Sequence, residues 1–211
     1  MAFTAKTAAL MGAVIGWFAL LLQLILIIQN RVTTVPETVV RYFSFFTILT
    51  NILVAVSFTA VFANGIAAKN SFFTRPKTLT ATAVYITIVG IIYNTVLRFI
   101  WVPTGWDMVA NELLHLIIPV AFILFWLKFV PKQNMEWKNI LPWLAYPLVY
   151  VAYILTRGAF ADFYPYPFID VTTLGYGHVF LNCVILCIAF LCFSILLVTI
   201  AKIITRIKTR S

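Results

Sequence analysis

The sequence is poor in the groups on which most metal and acid–base chemistry depends. In 211 residues it has two histidines, six acidic residues and three cysteines, and only 10% of it is charged. Neither His115 nor His178 belongs to an HExxH or paired-ligand pattern, so no metal set is indicated. Cys183, Cys187 and Cys192 share one apolar segment, which excludes a disulfide framework and a CxxC site and leaves small buried residues. There is no GxSxG elbow, Walker loop or GxGxxG, so no nucleotide or other cofactor is implied.

The shortage of charge also excludes a soluble domain. At 63% hydrophobic, the chain has more apolar surface than a soluble fold of this size hides, and it reads as an all-α polytopic membrane protein. About 20 apolar residues cross a hydrocarbon core, and six segments qualify: about 8–29, 41–64, 79–101, 108–130, 139–157 and 176–203. Pro36, Arg75-Pro76, Pro103-Thr104-Gly105, Pro131 and YPYP at 164–167 separate them. MAFTAKTAALMG leads into a retained first helix rather than a cleaved signal. Neither an internal repeat nor a soluble domain stands out, so the expectation is one six-helix transmembrane domain over 1–211.

Lys and Arg outnumber Asp and Glu, 15 to 6, and their placement sets an orientation. The N-terminus, the 65–78 and 129–138 loops, the C-terminal tail and the flanking helix ends hold eleven basic residues. The opposite side holds four: Arg31, Arg41, Arg98 and Arg157. Positive flanks stay inside, so both termini are expected to be cytoplasmic. The tail KIITRIKTR then lies on anionic lipid, and membrane lipids rather than nucleic acid are the expected partners. The outer loop 158–175 reads as an interfacial aromatic cap, with a functional lid as the alternative. No pattern encodes an oligomeric state.

The polar residues within the spans cluster at one level. Thr47/Asn51, Asn94/Arg98, Asn111/His115 and His178/Asn182 are each four apart and so share a helix face. All fall in the expected outer half, as do Thr50, Glu112, Tyr153 and Arg157, whereas ILFWLKFV and ILCIAFLCFSILL are nearly free of such groups. Polar groups in hydrocarbon need partners, and ionisable ones mark functional sites, so one shared outward-facing cavity is expected. Simpler roles exist for several of them. Asparagines serve as glue between helices, Arg98 and Arg157 can reach headgroups, and His178 can sit at a solvated helix start. His115, inside its span and followed by Pro119, has no such simple role. A hydroxyl with a histidine base is the chemistry that remains, with Thr47 or Thr50 as nucleophile. The amides of Asn51, Asn94 and Asn182 would orient the imidazole or donate to an oxyanion.

FFTILTN at 45–51, NTVLRFIW at 94–101, NELLHLIIP at 111–119 and YPYPFIDV…GYGHVFLN at 164–182 together resemble the bacterial six-transmembrane Pr6Pr family over essentially the whole chain. That family is distantly similar to the animal androgen-induced-gene and androgen-dependent-TFPI-regulator proteins, threonine hydrolases of fatty acid esters of hydroxy fatty acids. The resemblance implies a bacterial plasma (inner) membrane location and an acyl-ester substrate. It matches Thr47 to the nucleophile, and Asn111 and His115 to an Asn-His-x-x-His-Thr segment with His115 as the functional histidine. Glu112 stands where that segment has its first histidine, and Leu116 where it has threonine. The alternative function is a non-catalytic lipid or small-molecule binder or transporter using the same cavity. A structural partner, in which the same residues serve stability alone, is the third reading.

Overall fold

A computed structural model describes residues 4–100, 102–133 and 135–209. Trp101, which ends the third expected span, and Arg210, in the basic tail, lie outside the described residues. The described residues form helices and turns with no strand. Six helical segments are long and apolar enough to cross a membrane: Ala5–Gln29, Phe46–Asn64, Pro76–Leu97, Gly105–Phe129, Trp137–Ala161 and Val171–Lys208. This is a multi-pass, all-helical membrane architecture. The chain divides into two compact units, Met1–Lys132 and Gln133–Ser211, in the short connection after Pro131.

In the first unit, α1 (Ala5–Gln29) packs along α3 (Phe46–Asn64) through small residues. Gly12 lies against the Phe58 ring, and a Cβ on Gly16 would sit 3.2 Å from that of Ala55. Small side chains let helix backbones approach where no hydrophobic effect drives them together. Between these helices lies α2 (Val35–Tyr42), opened by Pro36 and braced by the Arg41–Glu37 ion pair at 2.9 Å. Its Tyr42 hydroxyl donates to the Leu20 carbonyl of α1 at 2.8 Å.

This short helix corrects the expected 41–64 span. Ser44 turns the chain, its N–H donating to Arg41 O and its hydroxyl to Val40 O at 2.7 Å. The membrane-length helix therefore restarts at Phe46, and Thr47 lies in its first turn rather than one to two turns below its end.

The next two spans each contain a widened turn. Helix α4 (Pro76–Ile92) continues into a π turn, Tyr93–Leu97, and α5 (Gly105–Glu112) passes through a second, Leu113–Ile117, into α6 (Ile118–Phe129). Their defining bonds run five residues back, Arg98 N–H to Tyr93 O and Ile118 N–H to Leu113 O. The second turn has a visible cause in Pro119. A proline ring inside a helix collides with the carbonyl four residues earlier, here that of His115, and a wider turn relieves the collision. The two π turns touch one another.

In the second unit, a 3₁₀ turn at Trp137–Asn139 leads into α7 (Ile140–Ala161), which packs against α8 (Val171–Lys208). Asp170 caps α8, its carboxylate accepting from the Thr172 and Thr173 N–H groups and from the Thr172 hydroxyl at 2.5 Å. That hydroxyl is the main reason its pKa is lowered. Gly175, with φ of 73°, interrupts the helix, so the continuous part begins at Tyr176, the start expected from sequence. From there to Lys208 it runs about 50 Å, against a hydrocarbon core of about 30 Å.

Candidate functional site

The first unit gathers Thr47, Thr50, Asn51, Asn94, Arg98, Asn111, Glu112 and His115 at one end. Two of these residues join helices through backbone carbonyls. Asn51, fully buried, donates through Nδ2 to the carbonyls of Thr47 at 2.9 Å and Leu114 at 3.2 Å. Asn94 donates through Nδ2 to the carbonyls of Gly90 at 2.7 Å and His115 at 3.1 Å.

Both cross-helix bonds follow from the second π turn. Ile118 N–H is turned to Leu113, so it leaves the Leu114 carbonyl, and Pro119 has no N–H for either Leu114 or His115. Two carbonyls are thus left without their helical donors inside an apolar bundle, where each would cost several kcal/mol if unpaired. An asparagine from each neighbouring helix fills one of them. Gly90 permits the approach, since a Cβ there would lie 3.2 Å from Pro119 Cβ and 3.3 Å from His115 O.

Of the expected uses of the amides, Asn51 and Asn94 serve as glue between helices and do not orient the imidazole. Each carboxamide has two N–H donors, and Asn51 and Asn94 each place them on two carbonyls. Asn182, in the second unit, donates to Phe168 O at 2.8 Å. None of the three amides turns toward an imidazole. The Oδ1 of Asn51 stays buried with no hydrogen-bond partner among the described residues.

His115 is held by its own helix. Its Nδ1 lies 2.9 Å from the Asn111 carbonyl, which can only accept, so the neutral ring carries its hydrogen on Nδ1. The lone pair of Nε2 is left without a partner among the described residues, the protonation pattern a general base needs. The ring also stacks on Tyr93, with centroids 4.0 Å apart and planes 21° from parallel.

Tyr93 is the residue that the sequence pattern misses. It is 5% exposed, its hydroxyl oxygen accepts a hydrogen bond from Asn111 Nδ2, and the Arg98 guanidinium lies 5.5 Å from its ring centroid. Arg98 in turn meets both carboxylate oxygens of Glu112, at 2.6 and 2.7 Å, as a half-exposed pair. So Glu112, which stands where the resembled segment has histidine, neutralises the arginine. Sequence reasoning at α-helical spacing paired Arg98 with Asn94. In a π turn the residue five back shares the face, and the 93/98 spacing was the available signal.

Thr47 and Thr50 are both buried on α3, each with a partner, and Thr47 shares the Asn51 amide with the His115 turn. The remaining candidates belong to the second unit, where each is engaged locally. Arg157 lies over the Phe163 ring at 5.1 Å. His178 is exposed, its Nδ1 donating to Leu174 O at 3.0 Å on its own helix, as a solvated helix start would have it. Asn182 holds the loop carbonyl of Phe168, beside the stacked Tyr166 and Phe168 rings.

Among the described residues no group of three or more His, Cys, Asp or Glu side chains is placed to hold a metal. The arrangement offers a neutral imidazole with a free lone pair, a buried phenol and two buried hydroxyls. No family model, no curated protein and no solved structure matches this chain.

Proposed function

We propose that the protein is an intramembrane hydrolase of lipid acyl esters, with Thr47 as nucleophile and His115 as general base. One observation carries this reading. A single amide, that of Asn51, bonds the carbonyl of Thr47 and the carbonyl of Leu114, the residue before a histidine fixed in its Nδ1–H form. A hydroxyl attacks an ester only when a neighbouring base takes its proton, and a neutral imidazole does this near pH 7.

In this mechanism Thr47 Oγ1 adds to the acyl carbon while its proton passes to His115 Nε2. The carbonyl oxygen becomes an oxyanion. When the tetrahedral intermediate collapses, the bond to the alcohol oxygen breaks, and that oxygen takes the proton from Nε2. Water then attacks the acyl-Thr47 ester, again giving a proton to Nε2; the bond from the acyl carbon to Thr47 Oγ1 breaks, Oγ1 takes that proton, and the fatty acid leaves. The excess of basic residues on the loops beside both termini supports a cytoplasmic placement for those termini. The acyl chain then enters sideways from the outer leaflet of the plasma membrane.

The test is turnover of a fluorogenic long-chain acyl ester by the full chain in proteoliposomes, together with fluorophosphonate labelling. Thr47→Ala and His115→Ala are each expected to lower turnover by at least about a thousandfold, and Thr47→Ala to abolish labelling. Thr50→Ala is expected to retain both. Full labelling of Thr47→Ala would sink the assignment, and uptake of the ester with no product would point instead to a non-catalytic binder or transporter.

A further inference from the structure

An ester hydrolase needs a donor for the oxyanion as well as a base and a nucleophile, since that charge forms away from water. Most of the donors at this site are already committed. Asn51 and Asn94 spend their amide hydrogens on four backbone carbonyls. Asn111 directs its Nδ2 to a phenol, and Arg98 turns its Nη2 to the Glu112 carboxylate, leaving its buried Nε without a partner among the described residues. The hydroxyl of Tyr93 is set apart by its ring lying against that of His115. It is engaged as an acceptor, by Asn111, and its single proton has no acceptor among the described residues.

We propose that Tyr93 is a catalytic residue whose O–H donates a hydrogen bond to the oxyanion of the tetrahedral intermediate. This rests on the hydrolase reading above. A phenol that accepts one hydrogen bond becomes a better donor of its own, because hydrogen bonds in a chain polarise one another. Asn111 therefore acts on both partners of the reaction: its carbonyl fixes the His115 ring through Nδ1, and its amide fixes the phenol. The stack with His115 at 4.0 Å keeps the two rings side by side, so proton acceptor and hydrogen-bond donor come as a preset pair. The proton stays on Tyr93 throughout. It stabilises the charge on the former carbonyl oxygen, and it is released from that contact when the carbonyl re-forms and the alcohol leaves.

Tyr93→Phe removes the donor and keeps the ring, the stack and the contact with Arg98. In the reconstituted full chain it is expected to lower kcat by about 10²–10³-fold with KM nearly unchanged, as for loss of one oxyanion donor elsewhere. Affinity for a long-chain trifluoromethyl ketone, which forms a tetrahedral oxyanion with the nucleophile, is expected to fall by the same factor as kcat/KM. Fluorination of the Tyr93 ring offers an arm that does not depend on the phenylalanine variant folding. A fluorinated phenol donates a stronger hydrogen bond, so affinity for the ketone is expected to rise. Wild-type kinetics and wild-type ketone affinity in Tyr93→Phe overturn the proposal, as does a change confined to KM or a ketone affinity unmoved by fluorination. A wild-type protein that neither turns over esters nor binds the ketone overturns the hydrolase reading, and this inference with it.

Discussion

The two ends of the first unit treat buried polar groups differently. At the end holding Thr80, Trp126 and Lys132, donors meet acceptors and the set closes. The Trp126 indole N–H reaches Thr80 Oγ1 at 2.9 Å, and that hydroxyl donates to Pro76 O at 2.7 Å. The Lys132 ammonium, 6% exposed, caps the end of α6 by donating to the carbonyls of Trp126, Leu127 and Val130. At the end holding His115, the backbone is served first, by Asn51 and Asn94, and side-chain capacity is left over. The remainder is an imidazole lone pair, a phenol proton, the Nε of Arg98 and the Oδ1 of Asn51. A closed network makes structure, whereas unspent groups in an apolar setting are candidates for chemistry.

That contrast can be broken by experiment. The largest expected effect is on turnover. His115→Ala is expected to abolish it while leaving the thermal unfolding midpoint in detergent close to wild type, because the ring supports no other helix through a hydrogen bond. The reverse is expected at the other end. Lys132→Met strips three carbonyls of a charged donor and is expected to lower stability by about 2 kcal/mol, with turnover per folded molecule unchanged. If His115→Ala unfolds the protein, or Lys132→Met abolishes turnover, the two ends are not distinct in kind.

Intermediate effects test the joints. Asn51→Leu leaves the Leu114 and Thr47 carbonyls without its amide and is expected to cost about 1–2 kcal/mol. It is also expected to slow turnover, since the backbones of Thr47 and the His115 turn are no longer tied. Gly90→Ala is expected to be milder, about 1 kcal/mol of overpacking against Pro119 and His115 O, read as a lower unfolding midpoint. Trp126→Phe is the smallest, about 0.6 kcal/mol for one membrane hydrogen bond, and leaves kcat unaltered.

Much of this was legible in the sequence. The apolar runs and their breakers placed six membrane-length helices, and the expected start of the last one, residue 176, follows the backbone break at Gly175, a conformation only glycine takes freely. The four-residue stripes brought Asn51, Asn94, Asn111 and His115 to one end of the first unit. What the pattern hid depends on turns that are not α-helical. Spacing rules assume 3.6 residues per turn, so they paired Asn94 with Arg98 and passed over Tyr93. The asparagines read equally as glue between helices and as site groups, and the glue reading holds for Asn51 and Asn94, because Pro119 creates the backbone acceptors that they fill. The separate helix Val35–Tyr42 was hidden because its apolar side runs on into the span, and the break rests on the local hydrogen bonds of Ser44.

Pro119 also constrains the order in which the protein is built. On its own, the segment Gly105–Phe129 would enter lipid with bare carbonyls at Leu114 and His115, a costly state for a newly made helix. Its two donors, Asn51 and Asn94, stand earlier in the chain and have left the ribosome before it does. The fourth crossing thus meets a prepared seat, and moving it ahead of its neighbours by circular permutation would strand it at the insertion machinery.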